Sequence, residues 1–208
     1  MTETPSLFLF VPANRPERYA GAAASGTDAV IIDLEDAVAP SRKPSARATL
    51  CEELNSPPAT STPVFVRING IGTPWHLDDL AAISNLLNTD RLTGIMLPKA
   101  ESANDIETMR TTLDPATTII ALIETAAGLA NADETARAAD RIAFGSIDFS
   151  ADIGCDHSRE TLLFARSQLV IAARVARQAA PINGVPATRT KSRQTPAMGQ
   201  ALVSKPSC

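Results

Sequence analysis

The sequence predicts an α/β fold of parallel βα units, closed as a (β/α)8 barrel. Three observations carry this. Short apolar runs alternate with helix-period segments, no glycine-rich nucleotide loop follows the first run, and charged residues fall at the C-terminal ends of successive runs.

The runs, in order, are Leu7–Val11, Ala29–Leu34, Val64–Ile68, Gly94–Pro98, Ile119–Glu124 and Arg141–Gly145, with a candidate seventh at Ile182–Val185. Each is rich in β-branched or aromatic residues and bounded by turn formers, the pattern of strands buried on both faces. Between them, helical spacing covers Arg15–Ser25, which stops at Gly26, and Lys43–Asn55, which closes before Pro57. It continues over Trp75–Leu87, Ser102–Leu113, Thr125–Ala139 and Glu160–Gln178. Strands separated by helices of this size pair in parallel. The absence of Gly-x-Gly-x-x-Gly and of a phosphate loop weakens the open, doubly wound alternative.

Asp33, Glu35 and Asp36 end the second run and Arg67 the third; Lys99 and Glu101 follow the fourth, Glu124 closes the fifth and Asp148 follows the sixth. In a barrel these ends open on one face, where active sites are built.

Composition narrows the function. The 208 residues are 44% hydrophobic and 20% charged, as in one soluble domain. A net charge of -4, from 19 basic and 23 acidic residues, argues against nucleic acid or an anionic membrane surface as partner. Cys51, Cys155 and Cys208 are far apart and odd in number, which suits reduced thiols. The start of the chain lacks the basic, then long apolar pattern of a signal peptide, and no run nears the roughly 18 residues of a membrane span, so a cytoplasmic location is expected. No acidic residue follows Glu160, and residues 188–208 show no period, so a barrel domain over 1–187 and an irregular tail over 188–208 are expected.

Six stretches resemble the HpcH/HpaI aldolase/citrate lyase family, in its citrate lyase beta-subunit-like branch. They are Leu9-Phe10-Val11-Pro12-Ala13-Asn14-Arg15, Asp28 to Val38, Val66-Arg67-Ile68-Asn69, Leu97-Pro98-Lys99-Ala100-Glu101, Ile123 to Gly128 and Phe144 to Gly154. Each alone is weak; six in the family's order are specific. The resemblance implies a (β/α)8 barrel, usually a homo-oligomer, that acts on carbon–carbon bonds next to a carboxylate, often in acyl-CoA thioesters. It implies Mg2+ on Glu124 and Asp148, Arg67 on the substrate's oxygens, and Arg15 and Arg18 near CoA phosphates.

Elementary chemistry points the same way. Cleaving such a bond leaves an enolate whose charge must be stabilised as it develops. A hard dication held by two carboxylates keeps positions open for a chelating substrate, and an arginine adds a fixed fork of donors. Glu35 and Asp36 then orient Arg67 or metal-bound water. Against the family pattern, the sequence shows six firm strands and no eighth, and nothing after Ala187 resembles the family's C-terminal segment, which covers a neighbouring subunit's site and brings a catalytic aspartate. The barrel is therefore expected to be incomplete at its C-terminal end. The leading function is Mg2+-dependent carbon–carbon lyase chemistry on a carboxylate or acyl-CoA. The alternatives are a pseudoenzyme that binds metal, ligand or partners without turnover, and a class II pyruvate aldolase without CoA.

Simpler roles compete at several positions. Glu124 could be an ion-pair partner of Arg67 or Lys99, and Arg15 and Arg18 a solvated helical turn. Asp152, the rival of Asp148 for the metal, is expected to cap the turn before Gly154. Asp33 lies within its run and reads as a core hydrogen-bonding residue outside the site. Lys99 reads as electrostatic or structural, His76 as part of a helix's first turn, Trp75 as core or interface. Cys155-Asp156-His157 has no further Cys or His cluster to complete a zinc site.

Overall fold

The computed structural model describes residues 4–56, 61–86 and 91–183. Seven strands form one parallel sheet in strictly sequential order: β1 (Phe8–Pro12), β2 (Ala29–Asp33), β3 (Val64–Arg67), β4 (Gly94–Leu97), β5 (Thr118–Ile123), β6 (Arg141–Phe144) and β7 (Ile182–Asn183). A doubly wound sheet reverses its strand order at a switch point; this one never does. The fold is the α/β, (β/α)8-barrel type, and the described residues contain seven of its strands. The rest of the expected seventh run, the boundary at 187 and the tail over 188–208 lie outside them.

Strand alternation builds two cores. Ala29, Ile31, Phe65, Met96, Ile120, Leu122, Ala143 and Ile182 meet inside the curled sheet, with Phe8 against them. Val30, Ile32, Val66, Ile95, Leu97, Ile119, Ala121 and Ile142 point outward into the helices. Burial on both faces explains why β2 reads as an unbroken apolar run: all five of its residues are buried.

The helices are α1 (Tyr19–Ala23), α2 (Lys43–Asn55), α3 (His76–Leu86), α4 (Ala103–Thr112), α5 (Ala126–Ala130), α6 (Ala132–Ala138), α7 (Ser146–Ile153) and α8 (Leu163–Val175). Three depart from the sequence reading. The helix expected from Arg15 begins as a 3-10 turn at Pro16–Arg18. The stretch expected as one helix over 125–139 breaks at Asn131, whose side-chain amide donates to the Glu101 carbonyl at 2.8 Å. Helix α7 was not expected; it follows β6 directly and ends at Gly154 in the left-handed conformation, φ 67°. Among the described residues no helix is long and apolar enough to cross a membrane.

Candidate active site

Strand register builds the site. Asp33 and Arg67 end β2 and β3 as directly paired residues. The Arg67 guanidinium donates through Nε to Asp33 Oδ1 at 2.8 Å and through Nη2 to Oδ2 at 2.6 Å, a two-pronged pair between a partly buried arginine and a buried aspartate. Its Nη1 stands 3.1 Å from Glu35 Oε2 and 3.6 Å from Asp36 Oδ2; the Glu35 contact lacks hydrogen-bond geometry, so it is electrostatic. Burial opposes the charge on Arg67, yet Asp33 and the two further acids hold its pKa above the usual arginine range.

The loop after β2 is anchored from below. Buried Lys43 donates to the carbonyls of Leu34 and Glu35, each at 2.8 Å, and to Asn69 Oδ1. Asn69 in turn donates to Asp79, which Arg47 holds from the other side at 2.7 Å. Glu35 thus leaves the sheet at a set angle, with its carboxylate between two cations.

The second of those cations is Lys99, just past β4. Its φ of 49° lies in the left-handed region, unusual for a residue with a Cβ. That turn aims its amide at Glu124 Oε1, 2.9 Å away, while its ammonium lies 2.7 Å from Glu35 Oε1 and 3.7 Å from Glu124 Oε1. Glu124 is 1% exposed. Burial, then the charges of Glu35 and Asp148, push its pKa up to about 8 against the pull of Lys99. Burial likewise raises Glu35, with Arg67 and Lys99 opposing.

Arg67, Glu124, Ser146 and Asp148 line one cavity of about 290 Å³ at the C-terminal ends of the strands. Gly145 shapes it: a Cβ there would stand 2.4 Å from Glu124 Oε2. The missing side chain leaves room at that oxygen, and the two carboxylates are hard donors, so they fit Mg2+. Among the described residues no group of three or more His, Cys, Asp or Glu is arranged for a metal. The remaining positions would fall to substrate or water.

The structure thus brings Arg67, Glu124 and Asp148 together on one cavity, with Glu35 and Asp36 against Arg67 Nη1. Arg15 and Arg18 lie on the exposed turn after β1, where Arg15 pairs with Glu17 at 2.6 Å. Asp33 is the buried hydrogen-bonding residue the sequence reading expected, accepting also from the Glu35 and Ala37 N–H groups, and its main partner is Arg67; its place on the inward face, in step with Ile31, is what brings it to the strand ends. Asp152 caps a helix, but not at Gly154. Its carboxylate accepts the Ala126 N–H of α5 at 2.7 Å, because the end of α7 lies over the start of that helix. His76 opens α3 with Nδ1 2.8 Å from the Asn69 carbonyl, and His157 Nε2 meets Ser146 Oγ at 2.9 Å. Trp75 lies beneath the Lys43 ammonium, 4.9 Å from the ring centre.

The family model described as HpcH/HpaI aldolase/citrate lyase matches residues 6–204. The chain belongs to this family. It is 35% identical over 183 residues to the citrate lyase subunit beta of Leuconostoc mesenteroides subsp. cremoris, covering 81% of this chain and 59% of that protein. It is 35% identical over 158 residues to the L-malyl-CoA/beta-methylmalyl-CoA lyase of Cereibacter sphaeroides, covering 70% of this chain and 49% of that one. The chain therefore spans about half the length of such relatives. A solved citrate lyase beta subunit from Mycobacterium tuberculosis, complexed with oxaloacetate and magnesium, superimposes with TM-score 0.72 at 37% identity, covering 86% of this chain and 78% of the other.

Proposed function

We propose that this chain is an Mg2+-dependent carbon–carbon lyase acting on a carboxylate or acyl-CoA substrate through an enolate. The observation that carries the reading is the meeting of Arg67, Glu124 and Asp148 on one cavity at the strand ends. Family membership and the magnesium and oxaloacetate of the mycobacterial homologue support it.

Glu124 and Asp148 would hold the metal, which when bound supplies positive charge to an enolate oxygen. Arg67 supplies a permanent second charge, aligned in advance by Asp33 and Glu35, so little reorganisation is needed as the enolate forms. Lys99 ties Glu35 to Glu124, and its amide fixes one Glu124 oxygen so that the other faces the space beside Gly145. Arg15 and Arg18 stand on the same side as these strand ends and would meet the phosphates of a CoA thioester.

The test is calorimetric. Glu124→Ala should abolish Mg2+ binding while circular dichroism stays unchanged; an unaltered Mg2+ affinity overturns the assignment. Steady-state cleavage of an acyl-CoA by the purified chain separates a lyase from a homologue that only binds. We also propose self-association, supported by apolar side chains that α8 leaves exposed, among them Phe164 at 74% and Ile171 at 61%. Light scattering that finds a stable monomer overturns that part.

A further inference from the structure

We propose that Lys43 is a positioning residue: its ammonium sets the geometry of Arg67 and Glu35 and so governs affinity for the substrate rather than for the metal. This inference rests on the lyase reading and adds to it a residue that is not part of the cavity lining.

The charge is unfavourably placed. Lys43 is 5% exposed, and its three protons go to neutral acceptors: the Leu34 carbonyl, the Glu35 carbonyl and Asn69 Oδ1. A buried cation hydrogen-bonded only to neutral groups keeps much of its desolvation cost. Lys43 also opens α2, the end of a helix whose dipole disfavours a cation. The Trp75 ring, 4.9 Å from the ammonium, offsets only part of this. A residue that breaks two local rules at once points to a functional requirement.

What the ammonium joins shows the requirement. The last ladder bond between β2 and β3 runs from the Leu34 N–H to the Arg67 carbonyl at 2.9 Å. Past it the two chains leave the sheet, and Lys43 spans them. Two of its acceptors belong to Leu34 and Glu35, directly after Asp33; the third belongs to Asn69, just beyond Arg67 and Ile68. Only an ammonium offers three donors and no acceptor at the tip of a long stem. Asn69 is fixed in its turn, donating to the Leu34 carbonyl at 3.2 Å and to Asp79 at 2.6 Å, while its own carbonyl meets His76 Nδ1. The backbones that carry the Arg67 fork and Glu35 are therefore pinned to one point. All these contacts lie at the ends of β2 and β3. Glu124 and Asp148 follow β5 and β6, and Glu124 is held separately by the Lys99 amide.

The experiment is calorimetry on the intact chain with Mg2+ alone, then with oxaloacetate at saturating Mg2+. Lys43→Met keeps the stem and removes the three donors. It should lower oxaloacetate affinity by about tenfold to a hundredfold while Mg2+ affinity stays within about twofold. Asn69→Ala, which leaves the ammonium on its two carbonyls and frees the end of β3, should show the same split with a smaller loss. It carries the test if Lys43→Met does not fold. In an Arg67→Lys background there is no fork to align, so Lys43→Met should then cost less than about threefold. An undiminished loss there overturns the route through Arg67. In variants that keep the wild-type circular dichroism, affinity that falls equally for both ligands, or for neither, makes Lys43 a prop of the fold alone and overturns the proposal. A wild-type chain that binds Mg2+ but no oxaloacetate overturns the lyase reading itself, so the two failures are distinct.

Discussion

At Gly145 the backbone φ is -84°, open to any residue, so glycine is there for space. A Cβ would meet Glu124 Oε2 at 2.4 Å and Glu124 Cβ at 2.7 Å. Gly145→Ala should therefore cost about 1–3 kcal/mol of stability as Glu124 is forced aside. It should also weaken Mg2+ binding, both measurable by urea denaturation and calorimetry. Glu124 has its own signature. With its pKa raised to about 8, the folded chain keeps a proton that the unfolded chain, titrating near 4.5, has already released. Over that window the native state binds more protons, so this group makes stability fall as pH rises and the loss levels off above about pH 8. Glu124→Gln should remove that slope, so denaturation at pH 5 and pH 8.5 should show the variant gaining on the wild type at the higher pH. Asp33→Ala removes both hydrogen-bond acceptors of a partly buried guanidinium and leaves it only the contacts to Glu35 and Asp36, so urea denaturation should show a loss of about 3 kcal/mol, the low end for breaking a buried pair. Among these residues the place of Glu124 and Arg67 at the strand ends was legible, because several charges close successive apolar runs, where a single one would read as an ion-pair partner. The partner of Asp33 was not, because a charge inside a run is ambiguous until its lateral neighbour is known.

Strands and helices place those residues, and two of their features make separate predictions. In β4, a Cβ on Gly94 would stand 2.1 Å from the Thr118 carbonyl oxygen, on the strand it pairs with. Gly94→Ala should push β4 from β5 and cost about 3 kcal/mol, near the upper end for overpacking, seen as a lowered denaturation midpoint. Helix α4 starts in a capping box, with Ser102 and Asp105 each satisfying the other's backbone N–H. Ser102→Ala should cost about 1 kcal/mol and leave Mg2+ affinity unchanged. Sequence periodicity located α2 to the residue and most other elements to within one or two. It failed where tertiary contacts outweigh local pattern: the break at Asn131, held by the Glu101 carbonyl, and α7, whose short Ser146–Ile153 span is fixed by Phe149 meeting Phe144 edge-to-face.

For the whole molecule, metal binding and folding are linked. A ligand at about a hundredfold its dissociation constant adds roughly 2.7 kcal/mol to the folded state. For a chain of this size that corresponds to a rise of roughly 5–10 °C in Tm. Mg2+ should produce that rise in a thermal melt, and Glu124→Ala should abolish it. A similar shift in that variant would place the ion elsewhere.

By itself the sequence determined the alternation of strand and helix, the charges at the strand ends and the family, because each is written in local order or in motifs of a few residues. Only the tertiary structure decided who faces whom. It paired Arg67 with Asp33, sent Asp152 to the start of α5, and set Glu124 against the space at Gly145. The physical reason is that a strand's own pattern fixes which face a side chain takes, while its lateral partner depends on the register of a neighbouring strand tens of residues away.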